Sequence, residues 1–267
     1  MADPRGDFQG GDLEGVRQAI ADGTLDQLGI RAIWLTPFQQ NPEGAYIAAD
    51  NQHYVTGYHG YWPTKAREVD TRLGGAEALH ALVAEAHEHG IRVLQDFVVN
   101  HVHEDHEYMQ AHPDWFRTGC VCGTQDCDWT GHALDCMFAG YLPDINHTVP
   151  AATEAFVDDA VWWLDTFNLD GLRVDAVKHV EEIATRNLSA EVREQFESAG
   201  RGPRAEGDGR GRARSYFAVF PLHDPAGREQ ERDVAGGRVR RRIRSSNRGR
   251  QSRRAGHARC IGETPPD

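Results

Sequence analysis

Asp170-Gly171-Leu172-Arg173-Val174-Asp175-Ala176-Val177-Lys178-His179 is the stretch that decides the fold of this chain. It predicts a short buried strand that ends on a carboxylate. Arg173 and Asp175 lie two positions apart, so on a strand their side chains leave the same face. A guanidinium beside a carboxylate favours the ionised form of that carboxylate. Such a group at the C-terminal end of a strand suits a nucleophile in an α/β barrel, although an Asp–Arg pair can also merely fix a loop.

The segments around this stretch alternate between helical and extended patterns. Strands are predicted over 30–35, 91–99 and 171–175, and helices over 13–22, 75–89, 150–167 and 180–199. Short apolar strands separated by helices predict a parallel sheet. Only three strands are recognisable in the sequence, whereas a closed (β/α)8 barrel has eight.

Charge divides the chain into two unlike parts. Residues 1–200 hold 12 Lys and Arg against 33 Asp and Glu, whereas residues 201–267 hold 17 Arg, no Lys and 8 Asp and Glu. Three interpretations of the second part compete: a basic tail that binds nucleic acid, a folded continuation, and a GC-rich gene read out of frame. The absence of Lys beside so many Arg favours the frameshift. We therefore predict an irregular or disordered segment over 200–267.

Four of the five cysteines, Cys120, Cys122, Cys127 and Cys136, fall within 17 residues. Such a group indicates either disulfides or a structural metal. The C-x-C-x4-C-x8-C spacing is unlike the paired C-x2-C of zinc knuckles, so two disulfides are favoured over a zinc-stabilised binding module. Disulfides indicate an exported parent protein. No apolar run approaches the about 18–20 residues of a membrane span, and the N-terminal residues lack a signal-peptide core.

Three further motifs precede the deciding stretch. They are Gly57-Tyr58-His59-Gly60-Tyr61-Trp62, Asp96-Phe97-Val98-Val99-Asn100-His101, and Leu142-Pro143-Asp144-Ile145-Asn146. The Asp96–His101 block lies at the end of a predicted strand, where barrel enzymes place their sites. Each motif alone is weak, but all four in this order are highly specific.

Together these motifs resemble the alpha-amylase family, glycoside hydrolase family 13, over about residues 7–199. The resemblance implies a partial TIM (β/α)8 barrel, with about strands 2–4, and an inserted domain B. Residues 1–101 would form the first part of the barrel, 102–150 domain B, and 151–199 the barrel continuation that carries the nucleophile strand. Residues 200–267 would follow as the Arg- and Gly-rich tail.

The resemblance also assigns catalytic roles. Asp175 would be the nucleophile that forms a glycosyl-enzyme intermediate, and Arg173 would orient it. The acid/base would be a Glu after a small residue on the next strand, and Cys260-Ile261-Gly262-Glu263-Thr264 fits that pattern. Glu263 follows Asp175 by 88 positions, which is longer than expected, and the third family carboxylate is missing because His223-Asp224 comes before Glu263. We therefore expect the chain as written to be inactive on starch.

Substrate and cation contacts follow from the same resemblance. Tyr61 would stack on a sugar ring, His59 and His101 would donate hydrogen bonds to hydroxyls, and Lys178 and His179 would line the leaving-group subsite. The implied substrate is an α-1,4-glucan or oligosaccharide, and the implied parent protein is secreted or periplasmic.

A structural Ca²⁺ is implied as well, held by Asn100, Asp144 and the backbone carbonyl of His179. Oxygen donors without thiolates suit this hard cation. Capping of loops by Asn100 and Asp144, without a metal, is the alternative.

Two other functions remain open from the residues alone. The run His101-x-His103-x-Asp105-His106 resembles the zinc-pair motif of metallo-β-lactamase-fold hydrolases. The Arg-rich tail would suit a non-enzymatic nucleic-acid binder, which is disfavoured because it rests on that segment alone.

Overall fold

The structure is a computed structural model that describes residues 11–48, 52–124 and 126–198, together with the short strand 217–219. All of these residues lie in one unit of the chain, Met1–Gln230. The predictions for Glu263, His223-Asp224 and Cys260 fall outside the described residues, as does the composition argument for most of 200–267.

Helices and strands alternate along the chain. The helices are α1 (Leu13–Ala21), α2 (Thr24–Gln27), α3 (Gly75–Glu88), α4 (Glu107–Ala111), α5 (Pro150–Thr166) and α6 (Glu182–Val192). The strands are β1 (Ala32–Leu35), β2 (Tyr46–Ile47), β3 (Tyr54–Val55), β4 (Arg92–Phe97), β5 (Phe116–Arg117), β6 (Asp144–Ile145), β7 (Gly171–Val174) and β8 (Phe217–Val219).

The main sheet is parallel, as predicted. Its order is β1-β4-β7-β8, so the three predicted strands lie side by side and β8 adds a fourth. Every pairing in it is parallel, and each strand is separated from the next by at least one helix. The register places Asp96 of β4 directly opposite Arg173 of β7. The C-terminal ends of the strands therefore bring the two strongest motifs together.

Helices cover the sheet with the apolar faces that their periodicity predicts. On α3 the buried residues are Leu79, Leu82, Val83 and Ala86. On α5 the aromatic stripe is core, because Trp163 is fully buried and packs edge-on against Phe38 with ring centroids 5.5 Å apart. Burial of each large apolar side chain stabilises the fold by about 1.5–3 kcal/mol.

Helix ends follow from local chemistry. Asp12 caps α1, since its side chain accepts a hydrogen bond of 2.8 Å from the backbone N–H of Gly15. Gly23 separates α1 from α2, because its φ of 76° lies in the left-handed region. The predicted helix over 180–199 is α6 followed by a π-helical turn, Arg193–Ser198.

The insert predicted as domain B over 102–150 lies between β4 and α5 and has little regular structure. We call this insert the excursion. It contains α4, the antiparallel pair of β5 with β6, and two disulfides, Cys120–Cys127 and Cys122–Cys136. The disulfides confirm that cysteine bridges, and not a zinc site, stabilise this loop. In the part of the chain that the structure describes, no helix has the length and apolar character needed to cross a bilayer.

Candidate active site

The centre of the candidate site is a guanidinium between two carboxylates. Arg173 Nη1 lies 2.9 and 3.0 Å from the carboxylate oxygens of Asp96 and 2.6 Å from Oδ1 of Asp175. The side chain of Asp96 is fully buried, whereas that of Asp175 is 20% exposed. Burial raises the pKa of Asp96, and hydrogen bonds from Tyr61 and Arg173 oppose that rise. Of the two carboxylates, Asp175 is the one that solvent or a ligand can reach.

A sharp turn after β7 presents Asp175. Its backbone N–H donates to the carbonyl of Phe97 at 3.0 Å, which extends the pairing with β4 by one residue. The next residue, Ala176, has a φ of 51°, in the left-handed region that residues with a Cβ rarely adopt. Local strain of about 1–3 kcal/mol is typical of residues held this way at functional sites. The chain therefore leaves the sheet directly after the carboxylate.

Two ring systems fix the inner carboxylate. Trp34 Nε1 donates to Asp96 Oδ2 at 3.1 Å, and the Tyr61 hydroxyl donates to the same oxygen at 2.7 Å. The guanidinium of Arg173 also lies over the Trp34 ring, 4.8 Å from its centroid, in a cation–π contact. Burial and the neighbouring Asp96 carboxylate raise the pKa of Tyr61, so its hydroxyl remains a donor. Asp96 thus serves as an anchor that holds Arg173 and Tyr61 in place.

The loop before Tyr61 orients His59. The backbone N–H of Tyr61 donates to Nδ1 of His59 at 3.1 Å. Burial lowers the pKa of His59 to about 4, so the ring is neutral at pH 7 with its proton on Nε2. Gly60 between them has a φ of 88°, and a Cβ there would overlap the carbonyl oxygen of Pro37. Only glycine fits this turn. Because Nδ1 of His59 already accepts from the backbone, its Nε2–H remains as a donor for a ligand.

His101 connects the end of β4 to the Tyr61 loop. Its Nε2 is 2.9 Å from the carbonyl of Tyr61, and its Nδ1 is 3.2 Å from the side-chain nitrogen of Asn100. The residue is only 3% exposed, and burial lowers its pKa. In this conformation both ring nitrogens are engaged within the protein. The sequence predicted a sugar-binding role for His101, and the structure adds a positioning contact to Tyr61.

Oxygen atoms collect where the excursion returns to the sheet. Asn100 and Asp144 are each 2% exposed, and Asp144 bridges to His101 through the backbone. Oδ1 of Asn100 is buried without a hydrogen-bond partner among the described residues. Burial raises the pKa of Asp144 to about 7, although Arg117 opposes that rise. An orphaned amide oxygen beside a buried carboxylate is a donor set that suits a hard cation.

Arg117 of β5 is the existing positive charge at this junction. It forms ion pairs with Asp144 at 2.7 Å and with Glu181, just before α6, at 2.5 Å. It also donates to the carbonyl of Leu134 and to the side-chain oxygen of Asn146. One guanidinium thereby joins the excursion to the segment that follows β7.

His179 attaches the disulfide-bonded loop to the deciding stretch. Its Nδ1 is 2.9 Å from the carbonyl of Ala133. Its ring meets Phe138 edge-on at 5.0 Å and Trp129 at 5.6 Å between centroids. Lys178, which precedes it in the 3₁₀ turn Val177–His179, is exposed.

The alternative zinc loop is not supported by the geometry. Nδ1 of His103 accepts from the backbone N–H of Asp105, and Nδ1 of His106 accepts from that of Tyr108 as the cap of α4. His101 is engaged as described above. Within the described ranges, three potential metal ligands converge only at Cys120, Cys127 and His132, and a disulfide already joins the two sulfurs.

Several residues of the site carried no role in the sequence-based prediction. Asp96 was part of a motif. It lies two residues after Leu94, so on a strand the two side chains leave the same face, which could have marked Asp96 as inward-facing. Trp34 and Arg117 gave no such signal, because Trp34 lies 62 positions from its partner Asp96 and Arg117 lies 27 from its partner Asp144. Trp129 belongs to none of the four motifs. Glu263, the predicted acid, lies outside the described residues.

Comparison with known proteins identifies the relatives of this chain. The family model for the alpha-amylase catalytic domain matches residues 2–206. A cyclomaltodextrin glucanotransferase from Bacillus sp. (strain 1-1) is 29% identical over 207 residues, covering 69% of this chain and 28% of that protein. The trehalose synthase of Pimelobacter sp. (strain R48) is 31% identical over 198 residues, covering 64% of this chain and 31% of that protein.

Solved structures give the same result. The alpha-amylase from Geobacillus thermoleovorans, in complex with acarbose, superposes with a TM-score of 0.60 and 32% identity, covering 73% of this chain and 40% of that one. The likeness confirms the predicted partial TIM-barrel fold. The chain spans less than one third of the length of the curated relatives named above.

Proposed function

The chain belongs to the alpha-amylase family of glycoside hydrolases, and from that premise we propose that its site is built to act on α-1,4-glucans by a retaining, double-displacement mechanism. The observation that carries the proposal is the Asp175 carboxylate, part-exposed at the end of β7 and 2.6 Å from the Arg173 guanidinium. Arg173 is itself fixed by a buried carboxylate and an indole ring. Asp175 is therefore oriented before a substrate arrives.

In the first step a carboxylate oxygen of Asp175 attacks the anomeric carbon. A C–O ester bond forms as the glycosidic C–O bond breaks, and the leaving oxygen takes a proton from a second carboxyl group. In the second step that group, now a carboxylate, removes a proton from water, and the water oxygen displaces Asp175. The two carboxyl groups of a retaining enzyme lie about 5–5.5 Å apart.

Glu263 is the proposed acid/base. Asp96, which shares Arg173 with Asp175, is unsuited to that role because it is fully buried and accepts hydrogen bonds from three side chains. Hydrolysis of starch thus depends on Glu263. We expect the chain to release no reducing sugar, because Glu263 follows Asp175 by 88 positions, longer than the family pattern implies. Release that disappears in Glu263→Gln would overturn the expected inactivity and identify the acid.

A glycosyl fluoride tests Asp175 without relying on the acid, because fluoride leaves without protonation. We expect α-maltotriosyl fluoride with a second fluorine at C5 of the reacting sugar to add its glycosyl mass to the Asp175 peptide. The C5 fluorine destabilises the oxocarbenium-like transition state and lets the intermediate accumulate. Asp175→Asn is the matched control and should remain unmodified. An adduct on another residue, or none at all, would contradict the proposed nucleophile.

The proposed substrate contacts surround this carboxylate. Tyr61 offers a ring face whose tilt is fixed by its hydrogen bond to Asp96. His59 offers its Nε2 proton, and Lys178 an exposed ammonium, to sugar hydroxyls. His101 would act on the sugar directly only after its contact with the Tyr61 carbonyl opens. His179, whose ring packs edge-on against Phe138, would line the leaving-group subsite beside Lys178.

A structural calcium ion is proposed at the junction, held by Asn100 Oδ1, Asp144 and the His179 carbonyl. The orphaned buried oxygen of Asn100 and the buried carboxylate of Asp144 support the fit. When bound, the ion would supply two positive charges between the sheet and the excursion. Calorimetric titration of the chelator-treated chain tests this: Ca²⁺ binding that Asn100→Ala weakens supports the site, and no binding contradicts it.

We propose for this chain the domain organisation that the family resemblance implies. Residues 1–101 and 151–199 would contribute to the barrel, 102–150 would be domain B, and 200–267 a tail. The two disulfides favour an oxidising compartment and hence a secreted or periplasmic parent protein. The nucleic-acid alternative rests wholly on residues outside the described ranges.

A further inference from the structure

Three potential metal ligands meet in the disulfide-bonded loop of the excursion. The sulfur atoms of Cys120 and Cys127 and a ring nitrogen of His132 all lie within 4.8 Å of one another. In the oxidised chain the two sulfurs form one bridge, which closes the loop without any contribution from the imidazole. Reduction of that bridge would leave two thiols beside one imidazole, and sulfur and imidazole ligands are those that Zn²⁺ binds in proteins.

The bridge that contains these sulfurs is the more accessible of the two. Cys127 is fully buried, but its partner Cys120 is partly exposed. In the other bridge Cys122 is 7% and Cys136 2% exposed. Because thiol–disulfide exchange requires access to a sulfur atom, a reductant reaches Cys120 first. The Cys122–Cys136 bridge, which spans 14 positions, would then still hold the loop closed.

Backbone hydrogen bonds keep the three side chains close to one another independently of the bridge. They run from Met137 N–H to the Cys120 carbonyl at 2.9 Å, from Gly123 N–H to the Cys127 carbonyl at 2.8 Å, and from His132 N–H to the Asp128 carbonyl at 3.1 Å. None of these contacts uses a sulfur atom. The ligand set is therefore expected to stay together after the sulfur–sulfur bond is broken.

Asp135 gives His132 the orientation of a metal ligand. Its Oδ1 lies 3.1 Å from Nδ1 of His132. An ionised carboxylate can only accept, so Nδ1 carries the proton and Nε2 keeps a free lone pair. Metal-bound histidines usually donate their second N–H to such an acceptor. Ligand atoms around a tetrahedral zinc lie about 3.5–3.8 Å apart, so the three atoms need to move only slightly to share one ion.

We propose that Cys120, Cys127 and His132 form a zinc site that replaces the Cys120–Cys127 bridge when the chain is reduced. A dithiol reductant transfers two electrons and two protons to the bridge and becomes a disulfide itself, which leaves two thiols on the chain. Zn²⁺ then displaces the two thiol protons and binds two thiolates and the imidazole, with water as its fourth ligand. The ion would close the loop beside Ala133, whose carbonyl accepts the hydrogen bond from His179.

Metal titrations of the full chain test the site, with Cys260→Ser in every sample to remove the fifth cysteine. After treatment with a phosphine, which adds no competing thiols, one Co²⁺ per chain should bind and give the near-ultraviolet absorption of cobalt–thiolate bonds. Zn²⁺ should displace it and release about two protons, measured by calorimetry in two buffers of different ionisation enthalpy.

The variants separate a site that uses His132 from one built on cysteines alone. His132→Ala should weaken Zn²⁺ binding more than about tenfold, because the loss of a supporting contact alone typically costs 10–100-fold. The matched control is His112→Ala, at an exposed position of the excursion, which should leave the affinity unchanged. Affinity that His132→Ala does not alter, but that Cys122→Ser abolishes, would overturn the proposal in favour of a four-cysteine site.

The redox state of the chain provides the second criterion. The oxidised chain should not bind Zn²⁺ at this site, and equal binding before and after reduction would contradict the proposal. Absence of binding to the reduced chain would overturn it as well. Circular dichroism checks the fold in each state. If the reduced chain unfolds, recovery of the native spectrum with Zn²⁺ but not with Mg²⁺ supports the site, and no recovery counts against it.

Discussion

Two arginines in this molecule each form ion pairs with two carboxylates, one in the main sheet and one in the excursion. Arg173, in the main sheet, joins Asp96 of β4 to Asp175 just after β7. Arg117, in the loop region between β4 and α5, joins Asp144 of β6 to Glu181 just before α6. The first contact follows from strand register, which puts Asp96 opposite Arg173. The second also begins with register, because the two-residue antiparallel pair of β5 with β6 puts Arg117 opposite Asp144. Strand pairing thus places one carboxylate beside each arginine, and the chain after β7 supplies the second, Asp175 or Glu181. The two regions differ in the extent of that pairing, which is a four-stranded sheet around Arg173 and only two residues per strand around Arg117.

The largest effect is expected for the strand-based arginine. Arg173→Met should lower the free energy of unfolding by about 3–5 kcal/mol, because Asp96 is left charged and buried without its cation. Urea denaturation followed by circular dichroism measures the loss. The control is Arg186→Met, since Arg186 and Glu182 form an exposed pair on α6 whose loss should cost under about 1 kcal/mol. Equal losses in the two variants would show that the buried ion pair stabilises the fold no more than the exposed one.

Acid should weaken the loop region at His106, which is 1% exposed and caps α4. Burial lowers the pKa of His106 to about 4, so between that value and its ordinary 6.5 the unfolded chain binds the proton more readily. Stability should therefore fall as pH drops from about 6.5 to 4, by about 3 kcal/mol at most.

His106→Asn keeps a side-chain acceptor for the cap but cannot titrate. The free energy of unfolding, measured by denaturation at each pH, should therefore depend less on pH across this range. His112→Asn, at an exposed position of the same loop, should leave the slope unchanged. A slope that His106→Asn does not alter would assign the acid sensitivity to another group.

Removal of the loop-based arginine should have a smaller effect with a distinct dependence on cation. Arg117→Met should lower the free energy of unfolding by about 2–3 kcal/mol, since charged hydrogen bonds to Asp144 and Glu181 are lost. Millimolar Ca²⁺ should restore part of this loss, and EDTA should not. Thermal unfolding of the variant and the wild type in both buffers measures the difference. A loss that Ca²⁺ does not reduce would count against a cation site at Asp144.

The smallest effect is expected at Trp34. Trp34→Phe removes the indole N–H that donates to Asp96 but keeps a ring beneath Arg173, so we expect a loss of about 1 kcal/mol. Urea denaturation of this variant and of Arg173→Met compares how much the Trp34 hydrogen bond and the Arg173 ion pair to Asp96 each contribute to stability. A loss as large as that of Arg173→Met would mean that the indole, and not the ion pair, holds Asp96.

Much of the strand-based region could be predicted from the sequence. The pattern around Arg173 and Asp175 predicted a buried strand with both side chains on one face, and the hydrogen bond between them confirms it. Helical patterns over 75–89 and 150–167 predicted α3 and α5. The short strand β8 was not predicted, because three residues of extended chain carry too weak a pattern beside an Arg-rich context.

Little of the loop-based region could be predicted. The cysteine spacing favoured disulfides but left their pairing open, since four cysteines allow three pairings. The bond between Arg117 and Glu181 joins residues 64 positions apart and follows from the path of the loop alone. Roles for Asp175, His59 and the other candidate residues remain predictions, as does calcium.

The spacing of the contacts has a consequence for the order of folding. Asp96 and Arg173 are 77 positions apart, while the disulfides span 7 and 14 positions. Closing a longer loop costs more chain entropy, and contacts of high sequence separation slow folding. We expect the excursion to acquire its bridges while β4 and β7 are still unpaired, so the strands would close around an insert that is already shaped. Quenching of refolding samples with a thiol-blocking reagent would reveal this order as early protection of the cysteines.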